Sequence, residues 1–207
     1  MLRWMLFQTE ILLDFTAPAW FALLSLMLPA PILMQTAAAC LLHESAHFLT
    51  IALLHQHPQS LRISAAGISL RIRGDALCPL PVLCAVLLAG PAANLTAAFC
   101  FFLAGLPDIF RANLSLGLLS LLPYSGTDCG TLLEALLSHH LLTKAPEHTA
   151  RILRITALCT SALLTALLLS AGVQNPSLWG MLLFLTGADC GVFTRYRSEH
   201  RGEPSSR

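Results

Sequence analysis

The chain contains five or six apolar stretches that are each long enough to cross a lipid bilayer. The bilayer core is about 30 Å thick, and a helix needs about 20 apolar residues to cross it. Of the 207 residues, 56% are hydrophobic and only 11% are charged, a balance too apolar for an ordinary soluble domain. Because a helix satisfies its backbone hydrogen bonds internally, these stretches predict an all-α polytopic membrane protein.

Turn-forming residues divide the apolar stretches into six predicted spans within one domain, residues 1–207. The spans cover about 15–28, 32–54, 82–106, 113–142, 152–173 and 178–193. We expect the third span to be interrupted at Gly90-Pro91 and the fourth to break at 123–126. Between spans two and three, apolar and polar residues alternate from Leu61 to Arg73 on both sides of Gly67. This period of two predicts a short amphipathic β-hairpin.

The basic residues indicate how the spans are oriented. With six spans, eleven basic residues fall on the side that holds both termini, and only Arg111 falls on the other side. The eleven are Arg3, Arg62, Arg71, Arg73, Lys144, Arg151, Arg154, Arg195, Arg197, Arg201 and Arg207. Positive charge concentrates on cytoplasmic loops, so we expect a multi-pass protein of the cell membrane with both termini in the cytoplasm. A net charge of +1 argues against a nucleic-acid partner.

A cluster of ionisable residues, His43, Glu44 and His47, lies inside the second predicted span. Residues four apart project from the same face of a helix, so the two imidazoles can bind one metal ion. Glu44, beside the first ligand, can take a proton from a metal-bound water, whose pKa zinc lowers to about 7. The alternative is a pair of histidines that only hydrogen-bond within a helix bundle. An ionisable group at the bilayer centre costs about 2.5–3.5 kcal/mol or more, which favours zinc.

A catalytic zinc site needs a third protein ligand and one open position. Asp128 and Asp189 each begin an Asp-Cys-Gly tripeptide. Asp128 follows the predicted break in span four, and irregular backbone at membrane depth is tolerated where it lines a cavity. Asp189 lies near the predicted cytoplasmic end of span six, where a carboxylate close to Arg195 is ordinarily interfacial. We therefore favour Asp128 over Asp189 as the third ligand.

Three blocks of the sequence resemble, in order and spacing, those of the site-2 proteases, the intramembrane zinc metalloproteases of peptidase family M50. The likeness is greatest to the small six-span branch typified by the stage IV sporulation protein FB. The blocks are His43–His47, Ala89–Asn94 and Asn113–Gly130, and the resemblance covers nearly the whole chain.

The resemblance implies one zinc ion per chain, held by His43, His47 and Asp128, with Glu44 as the general base. It implies hydrolysis of peptide bonds in membrane-associated substrates. Bacterial origin is part of the same expectation. The implied partners are a membrane-protein substrate, the lipid bilayer and a regulatory membrane protein. The candidate substrate-binding residues are Asn94, Ser120 and Pro123, although Asn94 can equally serve to pack the Gly90-Pro91 segment.

The loop before the third ligand departs from the family pattern, Asn-x-x-Pro-x-x-Pro-x-Asp-Gly. Ser120, Gly126 and Cys129 stand where that pattern has Asn, the second Pro and the final Gly. The altered loop favours an alternative function, a catalytically impaired relative that binds or escorts membrane proteins, whereas the intact Glu44 favours the enzyme. A metal or proton transporter is a third class, but a transporter is expected to carry polar residues along several spans, often in repeated halves.

Overall fold

The computed structural model describes residues 2–6, 9–13, 25–26, 29–54, 58–64, 67–72, 79–124, 127–140, 146–172, 178–187 and 189. The chain divides into two compact units, Met1–Ser120 and Leu121–Arg207, and each is described by itself. The described residues are mainly helical, as the apolar stretches predict. The first predicted span, about 15–28, lies almost wholly outside them.

Three helices form the helical part of the first unit: α1 (Ala30–Leu53), α2 (Leu80–Leu103) and α3 (Pro107–Ser120). Helices α1 and α2 each have a proline in the first turn, where its missing N–H leaves no hydrogen bond unmade. Gly105, with a φ of 69°, lies in the short turn that separates α2 from α3. All three helices contact one another.

A four-stranded sheet completes the first unit, with strand order β1-β2-β3-β4. The strands are β1 (Leu2–Leu6), β2 (Thr9–Leu13), β3 (Pro58–Ser64) and β4 (Gly67–Ile72). The pairs β1/β2 and β3/β4 are antiparallel, and β2 pairs with β3 in parallel. Strands β3 and β4 fall on the segment for which the sequence predicts an amphipathic hairpin, and that hairpin stays a prediction. The sequence did not predict β1 and β2.

The second unit contains α4 (Asp128–His140), α5 (Pro146–Ser170) and α6 (Leu178–Gly187). Helices α4 and α5 contact each other. Among the described residues, three helical segments are long and apolar enough to cross a membrane: Ala30–Leu53, Leu80–Leu103 and His148–Ser170. The six-span count stays a prediction.

Helix α2 shows how the side chains are distributed in the first unit. Gly90, Pro91 and Asn94 are buried, whereas Phe99 and Phe102 are more than half exposed. In water this arrangement would leave large apolar side chains hydrated and bury an amide. In a bilayer, lipid covers the aromatic side chains and small or polar residues pack between helices.

The expected interruption of the third span at Gly90-Pro91 is wrong, because α2 runs without a break from Leu80 to Leu103. Proline removes one backbone N–H, but transmembrane helices tolerate this loss when neighbouring helices and local adjustments support the backbone. The fourth span also begins earlier than expected, since α3 starts at Pro107 instead of Asn113. Helix α3 ends at Ser120 and α4 begins at Asp128, on either side of the expected break.

Candidate metal centre

His43 and His47 lie together on α1, one helical turn apart. Both are buried, with 6% and 7% of their surfaces exposed. Their Nε2 atoms are 3.1 Å apart, and the two rings meet edge to face, with centroids separated by 4.8 Å. Two nitrogens bound to one tetrahedral zinc at about 2.0–2.1 Å would be about 3.3 Å apart. The pair therefore has nearly the spacing that a shared zinc ion requires.

Helix α2 fixes the orientation of the His47 ring. Its Nδ1 atom lies 2.7 Å from the carbonyl oxygen of Val86, a buried residue of α2. A carbonyl can only accept a hydrogen bond, so Nδ1 carries the proton and donates it. In a neutral imidazole the other nitrogen, Nε2, is then left with its lone pair, which is the form that binds a metal.

Gly90 of α2 leaves the space that the two imidazoles occupy. A Cβ atom added at Gly90 would lie 2.6 Å from both Nε2 and Cε1 of His43, and it would also collide with Nε2 of His47. These separations are shorter than any ordinary contact, so a side chain at Gly90 would displace the rings. Sequence reasoning missed this role, although the Ala89–Asn94 block was the available signal.

Glu44 is half-buried and directly follows His43 on α1. Neighbouring residues on a helix project about 100° apart, so Glu44 borders the histidine face without belonging to it. That position suits a group that acts beside a metal ligand, and its catalytic role stays a prediction.

Asn94 lies one turn beyond Gly90 on the buried face of α2 and has no exposed surface. Among the described residues, neither its amide nitrogen nor its amide oxygen has a hydrogen-bond partner. A buried amide normally makes such bonds, because desolvating it without them costs about 1–3 kcal/mol. Asn94 therefore has spare donor and acceptor capacity, which a pure packing role would not use.

The face of α3 that contains Asn113, Gly117 and Ser120 is buried. A Cβ atom at Gly117 would lie 3.0 Å from Cδ2 of Leu95 and 3.4 Å from Cβ of Asn94, so α2 and α3 pack closely there. Ser120 donates its hydroxyl proton to the carbonyl oxygen of Gly117 at 3.0 Å. The first unit thus places Ser120 on a helix face that also packs near Asn94.

Asp128 is the first residue of α4, in the second unit, and is half-buried. A carboxylate in the first turn of a helix is stabilised by the helix dipole and the free N–H groups there. The preceding Thr127 caps the helix, since its Oγ1 accepts the N–H of Gly130 at 3.2 Å. Pro123 is half-buried in the turn before α4. Asp189, two residues after Gly187, is helical and also half-buried.

No protein-family model and no curated protein matches the chain. Among solved structures, it resembles the site-2 protease from Methanocaldococcus jannaschii, with a TM-score of 0.55. The two chains are 18% identical, and the alignment covers 96% of this chain and 94% of that one. Over nearly its whole length, the chain therefore has the fold of a site-2 protease.

Proposed function

We propose that the chain is an intramembrane zinc metalloendopeptidase that cleaves membrane-associated proteins. The observation that carries the proposal is the pairing of His43 and His47, whose Nε2 atoms are 3.1 Å apart. Gly90 lies beside the two rings, and its lack of a side chain leaves the space that they occupy. Two lone pairs at that distance repel each other unless a proton or a cation lies between them. The neighbouring Glu44 adds the base that a hydrolase needs.

His43, His47 and Asp128 are the residues proposed to hold one zinc ion. Two imidazoles and a carboxylate form a donor set that could hold a metal ion, and they leave a fourth position for water or substrate. When bound, zinc supplies Lewis-acid polarisation of the scissile carbonyl and makes a water molecule acidic enough to lose a proton at neutral pH.

Glu44 is proposed to move the proton in this reaction. Its carboxylate accepts a proton from the attacking water as the water oxygen bonds to the scissile carbonyl carbon. The protonated Glu44 then donates to the amide nitrogen as the C–N bond breaks, so the products are an amine and a new carboxyl group that still carries the second proton of the water. Glu44 ends the cycle ionised, as it began.

Asn94, Ser120 and Pro123 are proposed to bind the substrate. A scissile peptide must be unwound, which leaves its N–H and C=O groups in need of partners. The amide of Asn94 supplies both a donor and an acceptor, and Ser120 supplies a hydroxyl. Pro123 lacks an N–H and restricts the backbone of the turn.

The sheet is a proposed capture site for the unwound segment. Strand β4 is at one end of the strand order, so an extended peptide can add beside it through main-chain hydrogen bonds. The alternative is a sheet that lies on the membrane surface and takes no part in binding.

A catalytically impaired protein that binds or escorts other membrane proteins is the second candidate function. The unusual residues Ser120, Gly126 and Cys129 in the loop favour it. The two candidates differ in turnover, because an escort binds substrate without cleaving it.

The test is to incubate the purified protein with a panel of single-span membrane proteins in lipid vesicles, with and without a zinc chelator. We expect cleavage within the transmembrane segment, loss of cleavage with the chelator, and recovery when zinc is restored. Binding without cleavage under every condition would favour the escort function. Cleavage that the chelator leaves unchanged would contradict the zinc mechanism.

A further inference from the structure

Among the described residues, Tyr124 has the largest side chain that is fully buried, with 1% of its surface exposed. It nevertheless lies in the irregular turn before α4. Turns ordinarily lie on protein surfaces. A buried tyrosine hydroxyl needs a hydrogen-bond partner. The hydrogen-bond partners of Tyr124 therefore show which helices the turn contacts.

The hydroxyl of Tyr124 begins a chain of hydroxyl groups through the second unit. It lies 2.8 Å from Oγ of Ser161 on α5, which in turn lies 2.8 Å from Oγ1 of Thr186 on α6. Thr186 donates to the carbonyl oxygen of Leu182 at 2.7 Å. The Ser161 hydroxyl also lies 2.9 Å from the carbonyl oxygen of Ala157 in its own helix, to which it can donate. When Ser161 donates to Thr186 instead, Tyr124 donates to Ser161 and Thr186 to the carbonyl of Leu182, so that each of the three hydroxyl groups donates to the next acceptor.

The backbone of Tyr124 makes hydrogen bonds within the turn itself, with Leu122 and with Thr127. Its carbonyl oxygen accepts the N–H of Thr127 at 3.0 Å and lies 2.8 Å from the Thr127 hydroxyl. Its own N–H donates to the carbonyl oxygen of Leu122 at 2.9 Å. Thr127 then caps α4, whose first residue is Asp128. The same tyrosine thus connects the Thr127 cap to α5 and α6.

We propose that Tyr124 is a positioning residue for Asp128: the hydroxyl chain anchors the turn on α5 and α6 and thereby fixes the carboxylate at the start of α4. This inference rests on the proposed function, in which Asp128 is a zinc ligand. The sequence supports the need for an anchor, because Gly126 lies between Tyr124 and Thr127 and glycine has the widest backbone freedom.

The test compares Tyr124→Phe with the wild type, using two measurements besides cleavage. We expect faster hydrogen–deuterium exchange of the amides of Thr127, Gly130 and Thr131, because the turn loses its anchor. We also expect zinc affinity to fall by about 10-fold, the size of effect seen when a residue that orients a metal ligand is changed. Ser161→Ala should change both in the same direction, since it removes the next link of the chain.

Thr156→Val is the matched control on α5, because the Thr156 hydroxyl bonds to the carbonyl oxygen of Ile152 in its own helix. It should change neither measurement. Combining Tyr124→Phe with Asp128→Ala should lower zinc affinity no further than Asp128→Ala alone. An additive loss would overturn the proposal that Tyr124 acts through Asp128.

Hydrogen exchange separates failure of this inference from failure of the proposed function. Unchanged exchange at Thr127–Thr131 in Tyr124→Phe would overturn the anchoring role, whatever the protein cleaves. Faster exchange in a protein whose zinc affinity is unchanged would overturn the link to the metal site. A wild-type protein that binds no zinc would overturn the link and the proposed function together.

Discussion

The Nδ1 atom of His47 lies 2.7 Å from the carbonyl oxygen of Val86, one turn before Gly90 on the same helix. Helix α2 therefore does two things for the histidine pair on α1. The carbonyl of Val86 sets the tautomer of His47, and Gly90 provides the space in which both rings meet. The arrangement of the histidine pair therefore depends on two helices, although both histidines lie on α1.

Gly90→Ala should abolish zinc binding by the histidine pair. The added methyl group cannot fit beside the rings of His43 and His47, so the imidazoles must move apart. We expect zinc affinity to fall by at least about 100-fold, the upper end of the range for residues that orient metal ligands. Zinc content after equilibrium dialysis measures the effect.

Gly180→Ala is the control for this change, since Gly180 on α6 has no atom near an added Cβ within the described structure. It should bind zinc like the wild type. A Gly90→Ala protein with normal zinc content would contradict the assigned packing of α2 against the histidines.

Asp128→Ala should sharply lower bound zinc, because two histidines alone leave the ion under-coordinated. Asp189→Ala should leave zinc nearly unchanged and serves as the matched control. Zinc content of both purified proteins distinguishes them. The reverse result would assign the third ligand to Asp189.

Ser120→Asn should preserve or raise cleavage without altering zinc content. Asparagine offers an amide donor and a carbonyl acceptor to an extended substrate, whereas serine offers one hydroxyl. The Ser120 hydroxyl bonds to the carbonyl of Gly117 in its own helix, and losing that bond removes no contact with another helix. Lower cleavage of the natural substrate would mean that this loop is adapted to that substrate.

The predicted topology can be tested with fused reporters. A reporter after Ser177 should read outside, and reporters after His148 or Arg207 should read cytoplasmic, because basic residues concentrate on the predicted cytoplasmic side. A cytoplasmic reading at Ser177 would contradict the six-span prediction.

Local periodicity was sufficient to predict that His43 and His47 share a helix face, because residues four apart on a helix are neighbours. It could not predict Gly90, whose contacts with the pair join positions more than 40 residues apart and whose side chain carries no chemical signal. The contact between Tyr124 and Ser161 was missed for the same reason, since it joins residues 37 positions apart.

The sheet and the proline show where local rules fail. Strand β2 pairs in parallel with β3 across a long intervening segment, so five residues at Thr9–Leu13 gave little local indication of their partner. Pro91 suggested an interruption because proline breaks isolated helices. In the folded chain, however, α2 continues through Pro91, which is a buried residue of that helix.

The most direct test of the proposed mechanism is Glu44→Gln, assayed for zinc content and for cleavage of the same single-span substrate. Glutamine nearly matches the shape of glutamate but cannot accept the proton, so we predict a full complement of zinc and a loss of cleavage of about 100-fold or more. Cleavage at the wild-type rate with zinc bound would contradict the assignment of Glu44 as the general base and, with it, the account of this chain as a zinc protease.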